Sequence, residues 1–169
     1  MDLTGLSYRI EPADIDESLP AGISPAAAVE YLSRIKAEAV AVPGSEDIFV
    51  GADTIVAFNG MILEKPKDDD DAFRMLKMLS GNTHSVFTGV TIIGKGKAKT
   101  FSAETSVEFY DVTDEEIRSY VATGEPADKS GSYAIQGLGS FLVKTYKGDV
   151  NNVIGLPIER LCIELREFL

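Results

Sequence analysis

"FVGADTIVAF", residues 49–58, is apolar, small or β-prone almost throughout, yet it carries a carboxylate at its centre, Asp53. Burying an unpaired carboxylate is costly. The stretch therefore predicts a sheet strand whose Asp53 has a hydrogen-bond partner, a metal, or a catalytic use. Period-two alternation puts Phe49, Gly51, Asp53 and Ile55 on one face. Gly51 removes a side chain from that face, so the expectation is a space beside Asp53 that admits a ligand. A buried Asp that accepts backbone amides at a strand end is an equal reading of the same residues.

Outward from this strand, the periodicities alternate between helix and sheet. Upstream, "ISPAAAVEYLSRIKAEAVAV" predicts a helix with Ser24 as N-cap, Pro25 in its first turn, and Val29, Leu32, Ile35 and Lys36 at helical spacing. Before it, "YRIEP" is strand-like, and Asp14, Asp16 and Glu17 fall in a loop-like segment. Downstream, Asn59-Gly60 signals a hairpin turn, with "MILEKP" as the return strand ended by Pro66. "DDDDAFRMLKMLSG" predicts a helix with acidic residues in its first turn and Gly81 past its end. The acidic run reads as solvated carboxylates that favour the helix dipole rather than as a metal site.

"THSVFTGVTIIG" and "AKTFSAETSVEFYDV", joined by "GKGK", predict an antiparallel hairpin, with Gly94 and Gly96 suited to the turn. Thr113 and Glu116 form a capping box before "EIRSYVAT". "GEPADKSGSYAIQGLGS" is loop-like, "FLVKTY" a short strand, and "GDVNNVIGLP" leads into a C-terminal helix. The class is α/β, with a mixed sheet containing at least two hairpins rather than a purely parallel one.

The chain has 169 residues, fitting one domain, with 44% hydrophobic and 25% charged residues, enough to bury a core. Its net charge of -11 argues against a nucleic-acid or anionic-membrane partner. No run approaches a membrane span and no signal peptide opens the chain, so the expected location is the cytoplasm. The single cysteine, Cys162, shares a helical face with Ile158, Leu161, Leu165 and Phe168 and is expected to pack in the core. The single histidine, His84, excludes a Cys/His zinc site and reads as a structural hydrogen-bonder. Neither G-x-x-x-x-G-K-[ST] nor a strand-linked G-x-G-x-x-G occurs.

Two lysines stand out beside the carboxylates. Lys36 lies in line with the apolar face of its helix, and Lys65 is held extended by the following proline. A lysine at the first position usually snorkels. Yet two carboxylates and two lysines on separate elements suffice for a metal-plus-phosphate site, since carboxylates hold Mg²⁺ and lysines neutralise phosphate oxygens.

Taken together, "DIDES", "YLSRIKAEA", "VGADTIVAFNGMILEKP", "MLKMLSGNTHSVFTGV", "EEIRSYVATGEPADKSGSYAIQG" and "NNVIGLP" resemble the Maf nucleotide pyrophosphatases in order and spacing. The resemblance implies one Maf-like domain over residues 1–169, a mixed twisted sheet flanked by helices, similar to the fold of the inosine triphosphate pyrophosphatases. It implies hydrolysis of a nucleoside triphosphate to the monophosphate and pyrophosphate with a divalent metal, Mg²⁺ or alternatively Mn²⁺. By the same analogy, Asp53 is the proton acceptor that activates water, and Glu17 a ligand of the metal or its water. Lys36 and Lys65 are phosphate contacts, and Thr54 and Gln136 are determinants of the base. Members that prefer dTTP and UTP resemble "GADT" here, whereas those that prefer 7-methyl-GTP tend to show "GSDQ".

One departure accompanies the likeness. The family usually opens with a strand and an S-x-S-P-R-R segment, which "MDLTGLSYRIEP" does not contain, and neither Arg9 nor Ser24-Pro25 is placed to replace it. The expectation is a domain truncated at its N-terminus, with an exposed sheet edge or groove that a homodimer would cover. The alternative function is a nucleotide- or partner-binding protein with a degenerate, weakly active site.

Overall fold

Ser24 and Pro25 start the first helix as their chemistry dictates. The Ser24 hydroxyl accepts from the Ala27 amide at 3.3 Å, and α1 runs Pro25–Val40. The computed structural model describes residues 5–169, so the first four residues of the expected domain lie outside it. The strand-like "YRIEP" is a correction: residues 5–20 form neither helix nor strand, and Ile10 is 84% exposed. A short β-prone run is not stable without a neighbouring strand.

The sheet grows from two primed-type hairpins. β1 (Phe49–Phe58) turns through Asn59 and Gly60, both at positive φ, into β2 (Met61–Leu63). After α2 (Asp69–Leu79), β3 (Thr83–Gly94) turns through Lys95 and Gly96 into β4 (Lys97–Phe109). The turn residues are Lys95 and Gly96, so Gly94 ends the strand instead of bending it. α3 (Asp114–Val121) begins with the expected Thr113/Glu116 capping box. The loop-like stretch resolves into 3₁₀ turns at Glu125–Asp128, Ser130–Ser132 and Leu138–Leu142, and the last of these takes Phe141 and Leu142 from the expected strand. β5 is Val143–Lys147, and the lead-in to the C-terminus itself carries α4 (Val150–Ile154) before α5 (Ile158–Leu165).

The expected α/β architecture forms, with helices on both sides of one sheet of order β2-β1-β3-β4-β5, and every described pairing is antiparallel. α1 covers one face, where Ala28, Val29 and Ile55 are buried together. α2 and α3 cover part of the other face through Leu76, Leu79, Val86, Phe109 and Ile117. α5 covers the rest through Leu161, Leu165 and Phe168 against Val90, Ile92 and Phe101. Cys162 is half-buried and lies outside that cluster, because Leu161 and Leu165 take the inward positions.

Gly51 corrects the reading of the opening stretch. A Cβ there would meet Ser33 O at 2.3 Å and Ala37 N at 2.6 Å; one on Gly89 would meet Val29 O at 2.2 Å. Both glycines admit the backbone of α1, not a ligand. The free space lies elsewhere. β2 pairs with β1 only over Val56–Phe58, so among the described residues no strand lines the outer edge of Phe49–Ile55.

Candidate active site

A cleft of about 800 Å³ opens on that unpaired edge of β1. Alternation along the strand gives it two sides. Asp53 faces α1, while Thr54 faces the layer that holds α4. Glu17 and Lys65 border the cleft from the N-terminal segment and from the chain after β2.

The close packing of α1 on Gly51 and Gly89 brings Lys36 down onto the sheet. Its Nζ lies 2.6 Å from Asp53 Oδ1 and 2.7 Å from Glu17 Oε1. The Asp53 and Lys36 side chains are only 12% and 23% exposed, so this ion pair is largely desolvated, unlike the surface pairs elsewhere on the chain. Burial raises the Asp53 pKa above the ordinary carboxylate value, opposed by the Lys36 hydrogen bond and charge. Burial disfavours the Lys36 ammonium, but its hydrogen bonds to Asp53 and Glu17 outweigh that and leave its pKa raised. The Lys36 hydrogen bond holds Glu17 below its usual range, and the Lys65 charge reaches both carboxylates in the same sense.

Four of the residues expected from the sequence thus meet: Glu17, Lys36, Asp53 and Lys65. Thr54 joins the same cleft from its other side. Gln136 does not; it is exposed in the 3₁₀ region and does not line the cleft. Asp14 and Asp16 stay on the surface, with Asp16 occupied by Ser18. The acidic run before α2 serves as a helix start: Asp68 accepts from the Asp71 amide at 2.8 Å and Asp71 pairs with Arg74. His84 is buried, with Nε2 2.8 Å from the Tyr133 hydroxyl, the structural role expected of it.

Three supporting residues escaped the sequence reading. The Ser130 hydroxyl accepts from the Val56 amide at 3.0 Å and donates to Leu63 O at 2.6 Å, fastening the fork where β2 leaves β1. Asn152 is fully buried; its Nδ2 donates to Val86 O and to Thr105 Oγ1, both at 3.0 Å. Thr88 is fully buried between Thr54 and the Asn152 carbonyl. A hydroxyl on the strand face shared with Val86 and Val90 was the signal for Thr88; nothing local marked Ser130.

Two carboxylates on one ammonium also bear on metal binding. Among the described residues no cluster of three or more His, Cys, Asp or Glu forms a site on its own. Glu17 and Asp53 each place one oxygen on Lys36, which leaves each a second oxygen. One or two carboxylates completed by substrate phosphates are the donor set that Mg²⁺ takes, so these residues fit it. Among the described residues no helix is long and apolar enough to cross a membrane.

Comparison with known proteins places the chain in a family. The chain is 47% identical over 168 residues to a protein of Bacillus cereus (strain B4264) named dTTP/UTP pyrophosphatase, covering 99% of this chain and 88% of the relative. It matches proteins of the same name from Bacillus thuringiensis subsp. konkukian (strain 97-27), at 47% identity over 99% of this chain and 88% of the relative, and from Bacillus cereus (strain ATCC 10987 / NRS 248), at 46% over 99% and 83%. Residues 1–168 match the family described as Maf-like protein, and with relatives at 46–47% identity over nearly its whole length, the chain belongs to the Maf family.

Proposed function

We propose that this chain hydrolyses dTTP and UTP to the nucleoside monophosphate and pyrophosphate. The observation that carries this reading is the Lys36 ammonium bridging Glu17 and Asp53 at the edge of the cleft. Water attacks the α-phosphorus, the bond from that phosphorus to the α–β bridging oxygen breaks, and pyrophosphate leaves with that oxygen. Asp53 accepts the proton from that water. Its raised pKa suits a general base, since basicity matched to the working pH gives the best proton transfer. Lys36 orients the Asp53 carboxylate and, with Lys65, neutralises charge on the phosphate oxygens. The remaining oxygen of Glu17 would hold Mg²⁺ or Mn²⁺, which would supply Lewis-acid stabilisation of the phosphate charge, and the second Asp53 oxygen stays free to take the proton.

A nucleotide panel with product identification tests this. Pyrophosphate and monophosphate are expected from dTTP and UTP, lost with a chelator and restored by Mg²⁺ or Mn²⁺. Orthophosphate as the only product, or no turnover across the panel, overturns it.

A further inference from the structure

The cleft wraps around the edge of β1, and its two sides differ in chemistry. On the Asp53 side it is charged. On the Thr54 side its walls are Val86, Tyr133, Val153 and Ile154. Gly155 opens space beside Thr54: it sits at φ +119, and even a Cβ there would lie 3.5 Å from Thr54 Oγ1. Apolar and aromatic walls with one placed polar group suit a flat heterocycle, and its phosphates would then extend to the lysines.

The polarity of that polar group follows from counting protons. Thr88 Oγ1 lies 2.7 Å from the Asn152 carbonyl oxygen, which can only accept, so the one proton of the Thr88 hydroxyl is donated there. Thr88 Oγ1 also lies 2.8 Å from Thr54 Oγ1. With its proton committed, Thr88 can only accept in this second bond, so Thr54 donates inward. Thr54 then offers the cleft lone pairs and no proton.

We propose that Thr88 is a positioning residue that fixes the Thr54 hydroxyl as an acceptor toward the cleft, and that this polarity selects a base with an imino N–H, uracil or thymine, against cytosine. The inference rests on the preceding reading that the cleft takes a pyrimidine nucleoside triphosphate. The ring nitrogen of uracil and thymine at this position carries a proton, whereas that of cytosine carries a lone pair. Two facing acceptors leave both unsatisfied, and buried polar groups discriminate strongly when left unpaired.

The test compares kcat/KM on UTP and CTP for the wild type, Thr88→Val and Thr88→Ser. Wild type is expected to favour UTP by at least about tenfold. Thr88→Val frees the Thr54 proton to turn outward, and the UTP/CTP ratio should fall by about tenfold while Thr88→Ser keeps it. A folded Thr88→Val with an unchanged ratio overturns the proposal. So does an equal loss on both nucleotides, which would place the partner of Thr54 on the sugar. Should Thr88→Val not fold, Thr54→Val decides: a collapsed ratio supports the proposal and an unchanged one overturns it. Wild type that turns over no nucleotide overturns the preceding reading instead. In that event calorimetry decides this one: a binding preference for UTP that Thr88→Val abolishes supports it, and no preference overturns it.

Discussion

The Lys36 ammonium sits 2.6 Å from Asp53 Oδ1, a helix lysine set onto the centre of a sheet strand. The contact joins residues 17 positions apart and exists because glycines on β1 and β3 let α1 descend onto the sheet. Lys36 is what opposes the burial that raises the Asp53 pKa. In Lys36→Met, burial and the nearby Glu17 charge would both push Asp53 upward, with only the Lys65 charge left to oppose them. The acid limb of the pH dependence of kcat/KM should therefore move to higher pH, with the rate reduced by roughly 10²-fold or more for the lost charge stabilisation. An acid limb that stays in place removes Lys36 from control of the base.

Asp53→Asn should lower kcat by on the order of 10²-fold or more, the scale of a lost general base. Stability should change little. A folded pKa raised above the unfolded value means that the ionised group opposes folding as pH rises through that interval, so a neutral amide relieves this. It also deprives Lys36 of one partner, but Glu17 remains 2.7 Å away. Steady-state kinetics and a thermal melt on the same sample check both halves; unchanged turnover in a folded variant excludes Asp53 as the base.

Much of this was legible in the sequence because its signals are local. Ser24-Pro25, Asn59-Gly60 and the Thr113/Glu116 box each set their own backbone, and each forms as read. What the sequence withheld was which element fills the space that a residue leaves. Gly51 was visible as a missing side chain, yet only the tertiary path of α1 shows that a helix backbone occupies the gap. The lysine at position 36 was likewise visible as an oddity on an apolar face, while its two carboxylate partners come from separate elements. The proton order through Thr54, Thr88 and Asn152 depends on strand register and on the docking of α4, neither of which periodicity encodes. Gln136 belongs to a segment of 3₁₀ turns where sequence position says little about direction.

The two glycines under α1 should be intolerant of alanine. In Gly89→Ala the new Cβ would fall 2.2 Å from Val29 O and 2.7 Å from Glu30 N, both backbone atoms that cannot rotate away. Overpacking of this kind typically costs about 1–3 kcal/mol, and backbone against backbone belongs at the top of that range. Because Lys36 rides on the same helix, turnover should fall as well. Gly60→Ala is the control: at φ +76 with nothing within 4 Å, it meets only the left-handed backbone penalty of about 1 kcal/mol and should keep full activity. Urea unfolding separates the two, and equal losses would contradict the role given to α1 packing.

His84 should make the fold sensitive to mild acid. It is buried against Phe109 and Tyr133, with Nε2 on the Tyr133 hydroxyl and a buried Nδ1 that has no hydrogen-bond partner among the described residues. Burial pushes its pKa down from 6.5 to about 4. A histidine depressed in the folded state binds its proton first in the unfolded chain, so its contribution is complete above about pH 6.5 and is lost as pH falls toward 4. Integrated over the whole shift this is about 3 kcal/mol, of which about 2 kcal/mol disappears between pH 7 and 5. Carboxylates held at lowered pKa, such as Glu17, titrate below that interval in the folded state, while Asp53, raised by burial, contributes with the opposite sign. Unfolding free energies from urea titrations at pH 7 and pH 5 should differ by this amount in the wild type. In His84→Phe the difference should fall by about that amount, although the Tyr133 hydroxyl loses its partner and the variant starts from a lower stability at pH 7. An unchanged pH difference in that variant would assign the acid sensitivity to another group.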